Sequence, residues 1–243
     1  MARTIVIAAS KGGSGKTTLS AALAVQAAAA GEQVAVVDAD PQQSFGLWYE
    51  RRGWPENPEC LHAGQDGDLS SAIARAKAKS KWVIVDLPGS LMRADIAIRD
   101  ADLIVIPVRT SMMDIEAVSP ICELADEAGV PRVFVVNAAD KDWKLLSAAV
   151  NALAEIGDVL PESLRYHEGH PASMVQGQTA AEIKGSSSRV AKAEIAALWS
   201  AHGPRTRRRA YGVHACRGIK RSKLPNLQCD EEFSNATQPQ RPI

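Results

Sequence analysis

The amino-acid sequence predicts an α/β protein: a doubly wound, mostly parallel sheet with helices on both faces. Three observations support this prediction. Short runs rich in Val and Ile alternate with longer helical segments, the apolar residues within each run are consecutive rather than alternating, and polar residues lie where each run ends. A continuous apolar run indicates a strand buried on both faces, as in a parallel sheet covered by helices. The alternation of strands and helices favours right-handed βαβ crossovers.

The individual elements follow from these patterns. The predicted strands are residues 4–8, 34–38, 82–86, 103–108 and 132–137. The predicted helices are residues 17–30, 68–79, 115–128, 142–156 and 188–201. Gly31 and Gly129 follow the first and third helices, and glycine suits the left-handed conformation of a helix end. In such sheets ligands bind beyond the carboxyl ends of the strands, so the polar residues there are the candidate site.

Composition restricts the class of protein. The chain has 243 residues, of which 46% are hydrophobic and 23% are charged, as in ordinary globular proteins. No apolar run is long enough to predict a membrane span, and the first residues lead into a strand rather than a signal peptide. The four cysteines (Cys60, Cys122, Cys216 and Cys229) are widely spaced. Their spacing favours a reducing compartment over a disulfide framework, so we expect a cytoplasmic protein.

The last forty-one residues differ from the rest of the chain. Residues 203–243 contain nine Lys and Arg against three Asp and Glu, a net charge of +6. The remaining residues hold 19 basic and 25 acidic side chains, a net charge of −6. Residues 203–243 also lack a helical or strand period. We therefore expect one domain over residues 1–202, followed by a basic, flexible tail over residues 203–243.

The segment SKGGSGKTT, at residues 10–18, lies between the first predicted strand and the first predicted helix. This arrangement predicts a phosphate-binding loop, because backbone N–H groups and the helix N-terminus attract anions. The residues expected to contact the nucleotide are Gly12, Gly13, Ser14, Gly15, Lys16, Thr17 and Thr18. Lys16 is expected to pair with the β- and γ-phosphates, and the Thr17 hydroxyl to bind Mg²⁺. The alternative, a glycine-rich turn without a ligand, is disfavoured by the strand before the loop and the helix after it.

A second lysine, Lys11, stands at the start of the loop. With Lys11, the segment KGGSGKTT resembles the deviant Walker A motif of the ParA/MinD family of P-loop ATPases. The resemblance implies ATP and Mg²⁺ as cofactors, hydrolysis of ATP, and a homodimer that forms when ATP binds. It also implies that Lys11 contacts the phosphates of the partner subunit and neutralises charge during the reaction. The alternative is an ordinary solvated lysine.

Two acidic segments extend this resemblance. The segment DADPQ, which contains Asp38 and Asp40, resembles the first switch of the family, and the strand that ends at Asp86 resembles its Walker B motif. By this resemblance Asp40 orients the attacking water, Asp38 holds the water shell of Mg²⁺, and Asp86 binds Mg²⁺ through water. The alternative is that these are polar residues at strand ends without a catalytic role.

The segment VVNAAD, at residues 135–140, resembles the part of the family that lies beside the adenine. The resemblance implies that Asn137 contacts the base, and an amide can both donate to and accept from an adenine edge. Asn137 as the cap of a loop is the alternative.

The resemblance extends to about residue 200 and is nearest to short ParA-type proteins without an N-terminal DNA-reading domain. It implies non-specific DNA binding through basic residues near the C-terminal helix, here Lys184, Arg189 and Lys192, and stimulation by a ParB-like protein. A solvated helix face is the alternative for these residues. The expected function is therefore a nucleoid-associated partition ATPase. A MinD-like membrane ATPase would need an amphipathic basic C-terminal helix, and a nitrogenase iron-protein type would need cysteines in the switch loops; neither pattern is present.

Overall fold

The computed structural model describes residues 1–63, 68–139, 143–166 and 168–202. The predicted tail at residues 203–243 lies outside the described residues. The strands are β1 Arg3–Ile7, β2 Val34–Asp38, β3 Glu59–His62, β4 Trp82–Asp86, β5 Leu103–Val108, β6 Arg132–Ala139, β7 Asp158–Val159 and β8 Leu164–Arg165. The helices are α1 Lys16–Ala29, α2 Ser44–Arg51, α3 Leu69–Lys79, α4 Ala94–Arg99, α5 Met112–Glu116, α6 Ser119–Ala128, α7 Trp143–Ala154, α8 Gly169–Val175 and α9 Ser186–His202.

The strands form one sheet in the order β3-β2-β4-β1-β5-β6-β7, and β8 also pairs with β6. Neighbouring strands in the described part run parallel to each other. Every residue of β2, β4 and β5 is buried, as the continuous apolar runs predict. The doubly wound α/β fold is confirmed. Because β1 lies at the centre of the sheet, the loop that follows it is flanked by the ends of β4 and β5.

Two apolar cores lie on opposite faces of the sheet, because alternate residues of a strand point to opposite sides. Val6 and Val85 belong to the core that includes residues of α3, α4, α5, α6 and α7. Ile5 and Ile84 belong to the other core, with residues of α1, α2 and α9. In α9, Trp199 packs edge-on against Trp82 of β4, with 4.8 Å between the ring centroids. Helix α9 is therefore fixed to the sheet through its apolar side.

One predicted helix is divided in the structure. The sequence pattern predicts a single helix over residues 115–128, but the chain forms α5 and α6, with a break at Ala117 and Val118. Pro120 lies in the first turn of α6, where its missing N–H costs nothing, whereas inside a continuous helix it would remove a hydrogen bond. Ser111 begins α5 by accepting a hydrogen bond from the backbone N–H of Asp114.

Several short elements were missed by the sequence analysis. They are β3, β7, β8, α2, α4 and α8. Each has eight or fewer residues, too few for a periodic pattern to be distinctive. Strand β6 also continues to Ala139, two residues beyond the predicted end, so Asn137 lies inside the strand and not at its end. Within the described ranges, no helix has both the length and the apolar character needed to cross a bilayer.

Candidate functional site

The segment between β1 and α1 has the predicted strand–loop–helix geometry. Helix α1 begins at Lys16, and Gly15 before it has a left-handed conformation with φ of 91° and no side chain to cap the helix. The first backbone N–H groups of a helix lack partners within the helix, so an uncapped N-terminus presents donors to an anion. The loop is therefore suited to phosphate, and Thr17 and Thr18 lie in the first turn of the helix.

Asn137 lies directly against this loop. Its Nδ2 donates a hydrogen bond to the carbonyl oxygen of Ser14 across 2.6 Å, and a Cβ atom built on Gly15 would overlap the Asn137 side chain. Gly15 is therefore needed for two reasons, its positive φ and this close approach. The structure brings Asn137 to the phosphate loop through its amide group, a contact that the sequence analysis did not foresee. Its contact with adenine stays a prediction.

Lys16 occupies the centre of the site. Its side chain is buried, and Nζ donates to the carbonyl oxygen of Lys11 across 3.3 Å. Burial lowers the pKa of the Lys16 ammonium, whereas the charges of Asp86 and Asp40 raise it. A Cβ atom on Gly89 would lie 3.6 Å from Lys16 Nζ, which places the segment after β4 against the loop. Lys16 is thus enclosed by the phosphate loop, by Asp86 and Asp40, and by the segment after β4.

Asp38 and Asp86 are partners in the register of β2 and β4, and both are 1% exposed. Asp86 Oδ1 accepts a hydrogen bond from the Ser20 hydroxyl across 3.0 Å, and the Thr17 hydroxyl also donates to this carboxylate. Its other oxygen, Oδ2, is buried without a hydrogen-bond partner. Burial, and next the neighbouring Asp38, raise the pKa of Asp86 to about 7.

These features fit a bound magnesium ion. Two buried carboxylates beside each other are unfavourable unless a cation compensates their charge. The buried Asp86 Oδ2, which has no hydrogen-bond partner, is an oxygen that such a cation could bind. Carboxylate and hydroxyl oxygens are the hard donors that Mg²⁺ prefers, usually with several of its waters retained. The residues suited to hold the ion are Thr17, Asp86 and, through water, Asp38. The structure brings the three predicted metal residues together.

The two aspartates of the first switch differ in their surroundings. Asp38 accepts backbone hydrogen bonds at both oxygens, Oδ1 from Asp40 N across 3.1 Å and Oδ2 from Gly46 N across 2.9 Å. Burial raises the pKa of Asp38, and these hydrogen bonds oppose the shift. Asp40 is only half-buried, and its Oδ1 accepts from the backbone N–H of Gln42 across 2.9 Å. Asp38 is therefore a fixed group, whereas Asp40 faces the open side of the site.

Lys11 has an acidic partner within the same chain. Its Nζ lies 3.4 Å from Asp114 Oδ1, with side-chain exposures of 38% for Lys11 and 16% for Asp114. Lys11 is thus partly exposed and paired with a carboxylate, and its contact with the phosphates of a partner subunit stays a prediction. Asp114 lies in α5, which follows β5 at the same edge of the sheet as the phosphate loop.

Two further contacts join the loop to the segment after β5. The Ser10 hydroxyl donates to the carbonyl oxygen of Ala117, and the Arg109 guanidinium donates to the carbonyl oxygen of Gly13. Sequence reasoning missed Ser10, Arg109 and Ala117 as contacts of the loop. The order of the strands would have predicted these contacts. Because β5 pairs with β1, the segment after β5 begins beside the phosphate loop.

The three basic residues proposed for DNA belong to α9 and to the segment before it. Lys184 precedes α9, whereas Arg189 and Lys192 are on its first turns, and all three are exposed. None of them has an ion pair or a side-chain hydrogen bond within the part of the chain that the structure describes. Their charges are therefore not neutralised by a carboxylate of that part.

Comparison with known proteins gives consistent relatives. Protein ParA of Rhizobium radiobacter is 35% identical over 111 residues, which are 45% of this chain and half the length of that relative. Maintenance of carboxysome distribution protein A of Gloeobacter kilaueensis is 29% identical over 200 residues, covering 79% of this chain and 90% of the relative. In fold, the chain is similar to the septum site-determining protein MinD of Pyrococcus horikoshii in complex with Mg-ADP. The TM-score is 0.66 at 20% identity, covering 83% of this chain and 96% of that one.

A family model described as the CobQ/CobB/MinD/ParA nucleotide binding domain matches residues 5–192. This range contains the phosphate loop, the first switch, Asp86 and all of the sheet except the first two residues of β1. Because the match extends over most of its length, the chain belongs to the CobQ/CobB/MinD/ParA nucleotide-binding family and is an ATP hydrolase of the ParA/MinD type.

Proposed function

We propose that this ATPase distributes DNA or another cargo by dimerising on ATP, binding DNA without sequence preference, and releasing it after hydrolysis stimulated by a ParB-like partner. The observation that supports DNA binding most directly is that the charges of Lys184, Arg189 and Lys192 are exposed and have no ion pair with any of the described residues. Cations without a carboxylate partner are available to neutralise nucleic-acid phosphates, with release of counterions. The names of the relatives, ParA and maintenance of carboxysome distribution protein A, support a role in distribution.

The chemistry assigned to each residue follows from its position. Mg²⁺, held by Thr17, Asp86 and Asp38, would neutralise charge on the β- and γ-phosphates. Lys16, enclosed in the same site, supplies a second positive charge to these phosphates. Asp40, on the open side, orients a water molecule for attack. Each of these groups acts by position and charge, which is how most phosphoryl transfer is catalysed.

Two exposed methionines near Lys11 support dimerisation. Met92, in the segment after Gly89, is 60% exposed, and Met113, beside Asp114, is 71% exposed. Both belong to segments that contact the phosphate loop, so apolar side chains lie near the lysine on the open edge. A second copy of the chain would cover these methionines and receive Lys11 at its own phosphates. ATP favours this dimer only by as much as it binds the dimer more tightly than the monomer.

DNA retention by the full chain tests the proposal. We expect tighter binding with ATP and Mg²⁺ than with ADP, and a steep loss of affinity with added salt. Replacing Lys184, Arg189 and Lys192 together by Ala should lower the slope of log affinity against log salt by about two to three, because each lost phosphate contact removes about 0.9.

A matched variant controls for the loss of charge. Arg75, Lys79 and Arg99 are exposed cations of α3 and α4, on the opposite face of the sheet, and their replacement by Ala should leave DNA binding unchanged. Equal losses in both triple variants would contradict a DNA surface at α9.

Flotation with anionic liposomes and ATP tests the alternative that the protein binds membranes, since a partition ATPase should stay with the DNA. A fluorescent fusion should accordingly follow the nucleoid in the cytoplasm.

A further inference from the structure

The first switch is connected to α2 by a direct hydrogen bond. Asp38 Oδ2 accepts from the backbone N–H of Gly46, in the first turn of α2, across 2.9 Å. The other oxygen of Asp38 holds the backbone of Asp40. Because Asp38 lies beside Asp86 in the predicted metal site, a change in its position or charge acts on the start of α2.

The other end of α2 is bound to the segment that precedes α9. Arg52, the C-cap of α2, forms a bidentate pair with the Glu182 carboxylate, with nitrogen–oxygen distances of 2.7 and 3.0 Å. The same guanidinium donates to the carbonyl oxygen of Gly177 across 3.0 Å and lies over the Trp48 ring. Trp48 Nε1 donates to the carbonyl oxygen of Gln178 across 3.1 Å. These contacts fix the position of residues 177–182 relative to α2.

The backbones also meet closely at this point. Gly177 has a φ of +66°, and a Cβ atom there would overlap the backbone of Arg51 and lie 2.7 Å from Arg52 Cα. Only glycine permits this approach. The contact between α2 and residues 177–182 is therefore packed backbone to backbone, in addition to the ion pair.

The same segment holds the first turn of α9. The Ser188 hydroxyl donates to the carbonyl oxygen of Ala181 across 3.2 Å, and Ser188 is buried. Lys184 lies between these two residues, while Arg189 follows Ser188 directly. Residues 177–182 thus connect α2 on one side with the exposed basic residues on the other.

We propose that Arg52 and Glu182 are positioning residues that make the basic surface at Lys184, Arg189 and Lys192 respond to the nucleotide. When Asp38 takes part in metal binding, α2 shifts, and the clamp formed by Arg52, Glu182 and Gly177 carries this shift to the start of α9. This inference rests on the proposed DNA-binding function. A planar guanidinium bound at both nitrogens transmits a change in orientation better than a single ion pair, because its geometry is fixed.

The readout is the ratio of DNA affinity with ATP to that with ADP, each with Mg²⁺, measured on the full chain. Coupling between two sites is typically about 5- to 150-fold, and we expect a wild-type ratio within this range. Arg52→Ala should bring the ratio below about threefold. Arg52→Lys keeps the positive charge but cannot form the bidentate pair with Glu182. Its affinity ratio should therefore lie between those of the wild type and Arg52→Ala. An unchanged ratio in Arg52→Ala would overturn the proposal.

Two neighbouring residues give matched controls. Arg51 is exposed on the same helix without a hydrogen bond or ion pair among the described residues, so Arg51→Ala removes the same charge and should keep the wild-type ratio. Gly53 has a φ of +85° and nothing within 4 Å of a Cβ atom. Gly53→Ala therefore carries the conformational strain of Gly177→Ala without its overlap, and only Gly177→Ala should reduce the ratio.

A second measurement is independent of DNA. Hydrogen exchange of the wild type should change in residues 177–192 when ATP and Mg²⁺ bind, and Arg52→Ala should lose this change while keeping the change in residues 10–18. The retained protection at residues 10–18 also shows that the variant is folded. If the wild type binds DNA in neither nucleotide state but shows this exchange pattern, the proposed DNA binding is wrong, whereas the proposed coupling through Arg52 and Glu182 is supported. If exchange in residues 177–192 does not respond to ATP in the wild type, the clamp itself is refuted.

Discussion

Lys11 Nζ lies 3.4 Å from Asp114 Oδ1 of the same chain, so the lysine that distinguishes this phosphate loop has a carboxylate partner beside it. The lysine side chain is 38% exposed, and ion pairs of this kind contribute about 0.2–1 kcal/mol. Such a pair orders the side chain but is weak compared with a contact to a triphosphate. In the proposed dimer, Lys11 would therefore leave Asp114 for the phosphates bound by the partner subunit.

Lys11→Ala should bind ATP much as the wild type does but hydrolyse it slowly. A cation supplied to the transferred phosphoryl group is worth roughly 10³–10⁵ in rate in other nucleotide hydrolases, and we expect a loss in this range. Single-turnover hydrolysis and nucleotide titration separate the two effects. Lys16→Ala is the contrast, because it should lose nucleotide affinity as well. Wild-type turnover in Lys11→Ala would contradict the role of this lysine.

Asp114→Asn should dimerise at a lower protein concentration in the presence of ATP. The substitution removes the charge that competes for Lys11, a competition worth about 0.2–1 kcal/mol in each subunit. The dissociation constant of the dimer should accordingly fall by about twofold to thirtyfold. Sedimentation equilibrium measures this change. Asp100→Asn breaks a comparable pair with Lys77, at 2.9 Å, and should leave dimerisation unaffected; a similar shift there would rule out a specific effect of Asp114.

Asp40→Ala should hold ATP, remain dimeric and turn over slowly. Asp40 is half-buried and faces the open side of the site, so its removal affects the attacking water more than the fold. Loss of such a group typically costs about 10²–10⁴ in rate. Asp95→Ala, an exposed aspartate of α4, provides the control. Normal turnover in Asp40→Ala would exclude the assignment of this residue to the first switch.

Gly15→Ala should be strongly destabilised. Its φ of +91° costs a residue with a Cβ atom roughly 1–2 kcal/mol, and the overlap with Asn137 adds to this. A protein of this size loses about 2–4 °C in melting temperature for each kcal/mol. Gly12 does not have a positive φ, and a Cβ atom there would have nothing within 4 Å, so Gly12→Ala should melt close to the wild type. Thermal unfolding of both variants checks the prediction, and equal melting temperatures would oppose it.

Without Mg²⁺, stability should fall as the pH rises from about 4 to 7. The pKa of Asp86 is about 7 in the folded protein against a reference value of 3.8, so the folded state holds a proton that the unfolded chain releases in this window. The stabilisation is complete below pH 4 and is lost above pH 7. In EDTA, the melting temperature at pH 5.5 should exceed that at pH 7.5 by on the order of 5 °C. Asp86→Asn should flatten this dependence, and an equally steep variant would show that another group is responsible.

The fold class was predictable because the central strands carry their own signal. In β2, β4 and β5 every position is buried, so the sequence is apolar at consecutive positions and the predicted bounds match the observed ones. Strand β3 lies at the edge of the sheet with only half-buried residues and one exposed histidine. An edge strand needs fewer apolar residues, and its pattern is correspondingly weak.

The candidate site was predictable only where its residues belong to a local sequence pattern. The glycines and Lys16 form a local pattern, and Asp38 and Asp86 end strands that the analysis identified. The contact between Ser10 and Ala117 joins residues 107 positions apart, and that between Arg109 and Gly13 joins residues 96 positions apart. Neither pair has a local pattern, because the order of the strands in the sheet alone brings them together.

The two cores on opposite sides of the sheet divide the molecule into halves with different neighbours. Helix α5, with Asp114, belongs to one side, while α2 and α9 belong to the other. Helix α1, whose first turn carries Lys16 and Thr17, packs in the same core as α9. A substitution in that core that loosens α9 should therefore also displace the phosphate loop, whereas a substitution beneath α5 reaches the loop through the segment after β5.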